Sequence, residues 1–435
     1  MHHTLFIIGA GAAGLMAAVT AKDLGIDTAI LEGNDRIGKK ILVTGDGRCN
    51  LTNTSTAGST DETAALSAKF HGNTHGFPVK VLEQLGVRET MDFFYSLGLP
   101  LTHLKEGMMY PRSLQAASVT DIFQLALEER EIPVYFQHKA VEIEVSDGHP
   151  RFTVKCHTET EEQAVYTADF LLIATGGLTA PHTGADGSGY TLAERLGHTL
   201  VDTAPAIVQL KVQYPHLKAL SGIKLQGRAH ILINGEIARS ESGEIQFAEY
   251  GLSGPPILQL SREASVHLGR GDAVSVAVDL MPGRTEEEVV DFLDMHWGIF
   301  GHRTVPDSFI GILHKKLTPV LLKEAGIDKQ PNLLCQDLSW RAKAIFYRIL
   351  KHWEFKVTDT NGYGHAQTTA GGIDTAELVD GTLESRLVPG LYFAGEVMDV
   401  DGDFGGYNLQ WAWSSGYAVA KAVAAESMKQ KDVSI

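Results

Sequence analysis

The sequence predicts an α/β fold: a discontinuous Rossmann-like domain with an inserted β-barrel-like domain and a helical subdomain. Three observations point there. A glycine-rich turn between an apolar strand and an Ala-rich helix opens the chain. Short β-type runs punctuated by turns fill its middle, and a strand–glycine–helix pattern returns near residue 390. The expected domains are 1–195 with 370–435, a β-rich insert over 196–282 and 353–369, and a helical subdomain over 283–352.

The opening unit carries the strongest chemistry. Thr4 to Ile8 is apolar, Gly9-Ala10-Gly11-Ala12-Ala13-Gly14 follows, and Leu15 to Leu24 continues as a helical pattern. Gly9 permits the tight turn, Gly11 lets the backbone approach a pyrophosphate, and Gly14 allows close helix–strand packing. The free N–H groups and dipole of the helix start favour phosphate. A second apolar run, Thr28 to Leu31, ends on Glu32, 18 residues beyond Gly14 (32 − 14), where an acid hydrogen-bonds a ribose. An adenine dinucleotide is the expected ligand. Lys39, Lys40 and Arg48 lie close by and would neutralise its pyrophosphate.

Helical stretches follow at Val79–Leu97 and Ser118–Arg130, then β-type runs at Val134–Phe136, Ala140–Val145, Phe152–Cys156 and Ala164–Tyr166. Phe170 to Ile173 reads as a buried strand ending at Ala174-Thr175-Gly176-Gly177. Ala206–Val212, Lys224–Ile233, Glu244–Phe247 and Ala273–Leu280 predict a small barrel, with turns at Asn234-Gly235 and Gly269–Gly271. Helical periodicity then occupies Thr285–Phe300, Ser308–Ala325 and Ser339–His352.

Gly390 to Glu396 is a strand running into a glycine turn, and Gly405-Gly406-Tyr407-Asn408 opens a long helix from Leu409 to Ser427. A second phosphate-friendly feature this far from the first suits a long cofactor, FAD. Glu396 can reach the ribityl chain, and the helix start can aim its N–H groups at the flavin's pyrimidine edge. No second complete GxGxxG is present, so a nicotinamide donor, NAD(P)H, would dock transiently.

Composition narrows the class. No apolar run approaches the ~18 residues of a membrane span. Three cysteines, Cys49, Cys156 and Cys335, make neither a disulfide framework nor a metal site. With an opening strand in place of a signal sequence, a soluble cytoplasmic protein is expected. Formal net charge is −16, from 53 acidic and 37 basic residues, which disfavours nucleic acid and favours a small-molecule substrate.

The run Gly38-Lys39-Lys40-Ile41-Leu42-Val43-Thr44-Gly45-Asp46-Gly47-Arg48-Cys49-Asn50-Leu51-Thr52-Asn53 resembles the GxKxLxxGxGRCNxTN motif of bacterial NAD(P)/FAD-dependent oxidoreductases of BaiN/YhiN type, the aminoacetone-oxidase-like flavoproteins. Thr368–Ile373 and residues 390–410 resemble that family too. The resemblance implies cofactor contacts at Gly9, Gly11, Ala13, Gly14, Glu32, Lys40, Arg48, Asn50, Val141, Thr175, Glu396, Asn408 and Leu409. It implies NAD(P)H-driven hydride transfer to an activated C=C bond of a small or medium apolar metabolite. Two departures stand out. Ala248-Glu249-Tyr250-Gly251 replaces a family Thr-His-x-Gly, and Gly184-Ala185-Asp186-Gly187-Ser188-Gly189-Tyr190 carries its acid earlier than the family's Gly-Ser-Thr-Gly-Asp-Gly-Tyr.

Candidate proton donors or redox groups are Cys49, Glu249, His365 and Tyr407, each with a structural alternative: a packed filler for Cys49, a surface acid for Glu249, and turn or core residues for the other two. Competing functions are an oxygen-using amine oxidase, a flavoprotein acting on or binding tRNA, and a flavin redox sensor hinged at 184–189 and 361–364.

Overall fold

The computed structural model describes residues 1–158 and 163–433. Two compact units are present: Met1–Thr203 with Gln367–Ile435, and Ala204–Ala366. The helical stretch 283–352 belongs to the second unit rather than standing as a third body.

In the first unit, β1 (His2–Ile8), β2 (Thr28–Leu31), β3 (Val134–Tyr135), β4 (Lys139–Val145), β5 (Phe152–His157) and β6 (Gln163–Ile173) form one sheet in the order β3-β2-β1-β6-β5-β4. The three strands nearest β1 run parallel to one another, while β6-β5-β4 is an antiparallel meander. The runs expected separately at 164–166 and 170–173 are one strand. Its ladder with β1 continues from Thr167 to Ile173 and carries the backbone across polar Asp169. The C-terminal half of β6 also pairs in parallel with Leu391–Phe393, so both ends of the chain share this sheet. Above it lies α1 (Ala12–Asp23), whose residues Ala13 to Ala21 are all buried. A helix apolar all round must be enclosed on every side. After β6 comes α2 (Ser188–Arg195). The expected helix Val79–Leu97 is two pieces, Val79–Leu82 and Val87–Ser96, because Gly86 caps the second.

In the second unit, β7 (Leu210–Gln213), β8 (Lys224–Ile233), β9 (Glu236–Phe247), β10 (Gly251–Ser253), β11 (Val274–Asp279) and β12 (Trp353–Thr360) close into a barrel, β7-β10-β9-β8-β11-β12. The β8–β9 hairpin turns at Asn234-Gly235, where both residues have positive φ as a tight hairpin requires. Helix α3 (Pro255–Gly269) packs against the barrel; α4 (Glu286–Ile299) begins with a Thr285/Glu288 capping box, and α5 (Trp340–Lys351) packs on it. The helix expected over 308–325 is instead Val305–Ser308 and Thr318–Glu324, with left-handed Gly311 between.

Lys351 ties α5 to the barrel: its ammonium lies 2.6 Å from Asp279 Oδ2 and donates to the carbonyls of Met281 and Arg284. Both side chains are nearly buried, 12% and 7% exposed. Lys351→Met strands a buried carboxylate and should cost on the order of 3 kcal/mol. Urea unfolding followed by tryptophan fluorescence should show it, and adding Asp279→Leu should recover much of the loss.

Candidate cofactor and active site

Three glycines set the first wall of the site, each for a different steric reason. Gly9 has φ +107°, and a Cβ there would lie 2.5 Å from the Ala174 carbonyl. A Cβ on Gly14 would lie 2.0 Å from the Gly9 carbonyl. Gly11 is the N-cap of α1 in an extended conformation, and a Cβ there meets nothing within 4 Å because it faces open space. That space is a cleft of about 330 Å³ within the first unit, lined by Gly9 to Ala13, Glu32 and Asn34 from the chain's beginning and by Gly395, Glu396, Asn408 and Leu409 from its end.

Glu32 ends β2 in a fixed pose. Its Oε2 accepts from the Ala10 N–H at 2.7 Å, and its Oε1 from the Asn34 N–H at 2.8 Å and side-chain amide at 2.7 Å. Glu32 also lines the cleft, where a ribose hydroxyl would donate to it. Glu396 is held as firmly. Lys40 Nζ sits 2.5 Å from its Oε2, while Thr179 Oγ1, the Thr369 N–H and Thr369 Oγ1 all donate to its Oε1. Asn408 uses its side chain to pin the preceding turn, accepting from the Gly402 N–H and donating to the Gly402 carbonyl, both at 2.8 Å. This leaves the N-terminal N–H groups of α6 (Tyr407–Val433) at the cleft.

The remaining expected contacts divide. Ala13, Lys40, Thr175 and Leu409 line the cleft, and Gly14 and Asn50 do not, Gly14 because it packs on the Gly9 carbonyl. Asn50 is 8% exposed and packs against Gly406 at the α6 start. Arg48 does not line the cleft: left-handed Gly45, Asp46, Gly47 and Cys49 turn the loop, and the guanidinium sits over the Tyr110 ring and near exposed Asp46. Val141 does not line it either. Its carbonyl accepts from Arg195, and neighbouring Ala140 faces the cleft instead.

Among the candidate catalytic groups, Cys49 is fully buried, and burial pushes its thiol up to about 12. That is the environment of a packed filler, not of a thiolate. Tyr407 is 4% exposed, bonds Ser55 Oγ at 2.8 Å and packs edge-on to Phe70; burial raises its hydroxyl above the usual range. Glu249 and His365 are exposed on turns of the second unit.

Sequence reasoning missed the buried amide of Gln410. It accepts from Thr52 Oγ1 at 2.6 Å, and its nitrogen lies 2.8 Å from Thr90 Oγ1 and Ser414 Oγ. Asn53 donates to the Gly405 carbonyl and Trp413 to that of Leu51, so residues 51–53 are stitched to the start of α6. A glutamine among the apolar positions of a buried helix was the available signal.

The residues present fit FAD. Gly11 leaves a cradle at the α1 start that a side chain would fill, on a cleft that Glu32, Lys40 and Glu396 also line.

A sequence model described as the HI0933-like protein Rossmann domain matches residues 3–422. The chain belongs to this family. It is 38% identical to the 3-dehydro-bile acid Δ4,6-reductase of Clostridium scindens over 96% of this chain and 98% of that one. It is 31% identical to the ribosomal RNA dihydrouridine synthase of Escherichia coli, over 97% and 98%. Among solved structures, the 3-ketosteroid-Δ4-(5α)-dehydrogenase of Rhodococcus jostii shares the fold at TM-score 0.53 and 15% identity, over 97% of each chain. This member of the HI0933-like family is an FAD-dependent oxidoreductase. Among the described residues, no helix is long and apolar enough to cross a membrane.

The glycine geometry yields a paired expectation. Gly11→Val should fold and melt near the parent temperature yet lose FAD, because its side chain enters only the cleft. Gly14→Ala should instead lower the melting temperature of the apoprotein, since its Cβ meets backbone. Calorimetry with flavin-fluorescence titration separates the two.

Proposed function

We propose that the protein uses NAD(P)H to reduce an activated C=C bond of a small or medium apolar metabolite. The observation that carries this reading is the near full-length 38% identity to a Δ4,6-reductase of a 3-dehydro-bile acid, in a chain with a single dinucleotide site. FAD, when bound, supplies the hydride chemistry. The chain's own residues bind and orient it. The α1 N-terminus offers N–H groups to the pyrophosphate, Glu32 holds the ribose, and Lys40 with Glu396 grips the ribityl region. The α6 N-terminus, whose Asn408 and Leu409 line the cleft, would offer its positive dipole end to the flavin half and favour negative charge there.

A second reading, an RNA uridine as substrate, is favoured by two observations. The 31%-identical relative is a ribosomal RNA dihydrouridine synthase, and saturating a uracil C=C beside a carbonyl is the same bond chemistry. Residues 204–366 carry 18 basic and 18 acidic residues, so the acidic excess that opposes RNA lies wholly in the other unit.

The test is the anaerobic visible spectrum of the FAD-loaded protein. NADH or NADPH should bleach the flavin bands, and a steroidal 3-oxo-4,6-diene should restore them. Restoration by a uridine-containing ribosomal RNA fragment alone would move the assignment to the second reading. Flavin that stays oxidised with both nicotinamides, or peroxide formed from an aminoketone, would contradict the first.

A further inference from the structure

We propose that Lys139 and Asp186 form a latch over the adenosine end of the cleft and set how fast FAD is released. Both residues line the cleft, Lys139 from the start of β4 and Asp186 from the loop before α2. The ammonium and Asp186 Oδ2 are 2.5 Å apart, joining strand to loop. The Lys139 stem lies over residue 33, its Cβ 3.7 Å from where a Gly33 Cβ would stand, directly after the ribose carboxylate Glu32.

A second tie closes the same end. The Asn34 side-chain amide lies 2.7 Å from Glu32 Oε1 and 3.1 Å from the Thr183 carbonyl. Gly184 approaches that amide so closely that a Cβ would lie 2.4 Å from its nitrogen. Glu32, the lysine stem and loop 183–186 therefore enclose one end of the cleft.

The pair is half in water, with side chains 52% and 37% exposed. Such a bridge is weak enough to open thermally and is screened by salt. Adenosine leaves through this end only while the bridge is open, so release is linked to ionic strength. Asp186 has a second task, accepting from the Ser188 N–H at 3.0 Å through its other oxygen. That contact alone would make it a helix cap and nothing more, so the test must separate the two roles. The inference rests on FAD binding and is independent of the substrate.

The experiment measures the release rate of FAD, and separately of ADP, from the full-length protein at low and high salt. Lys139→Ala and Asp186→Asn should each speed release of both ligands about three-fold at low salt, the scale of an exposed ion pair. Both should also lose the parent's salt dependence, and Lys139→Asp with Asp186→Lys should restore it. Unchanged rates in Lys139→Ala would overturn the latch. So would acceleration in Asp186→Asn alone, since the amide keeps the Ser188 bond and the effect would then not pass through Lys139, or acceleration for FAD but not ADP.

Discussion

Backbone-to-backbone contact around α1 is the constraint on which the rest depends. The Gly14 position leaves no room for a Cβ against the Gly9 carbonyl, and Gly416 of α6 leaves none against the Ala13 carbonyl, where a Cβ would come within 2.2 Å. The first helix thus touches its own strand turn on one side and the last helix on the other, with nothing between them but main chain. Interiors are packed too tightly for a methyl group to be absorbed there. A chain of 435 residues is closed on itself at this point, and the cleft lies along the seam.

The seam holds its polar groups in place by satisfying them. Gln410 is fully buried, a position that would destabilise the core if its amide were unpaired, at about 1–3 kcal/mol for each orphaned group. Its partners come from Thr52, Thr90 and Ser414, so one side chain fixes the register between the 38–53 loop and α6. Against that rigid background Gly11 leaves the cleft open at the start of α1, where a ligand's phosphates would sit.

What the sequence shows and hides follows from the range of the interactions. Gly9, Gly11, Gly14 and Glu32 are legible because their spacing alone encodes a strand–turn–helix–strand unit. The barrel is legible from its turn spacing. The Lys40–Glu396 and Thr52–Gln410 pairs are not, since their partners lie some 350 residues apart and no local pattern marks them. Arg48 and Val141 carry the right residue types, yet left-handed backbone at 45–49 and the register of β4 direct them elsewhere. The helix expected over 308–325 breaks at local signals that its periodicity masked, left-handed Gly311 and Pro319 in the first turn of the second piece. Glu249 and His365 lie outside the unit that holds the cleft, which spacing could not show.

The central claim is that both ends of the chain build one FAD site, with adenosine held by the first residues and the flavin half by the last. Affinities of FAD and ADP for Glu396→Gln, measured side by side by calorimetry, test it most directly. The account predicts weaker FAD binding with ADP affinity unchanged. Equal loss for both ligands, or no loss for FAD, would contradict it.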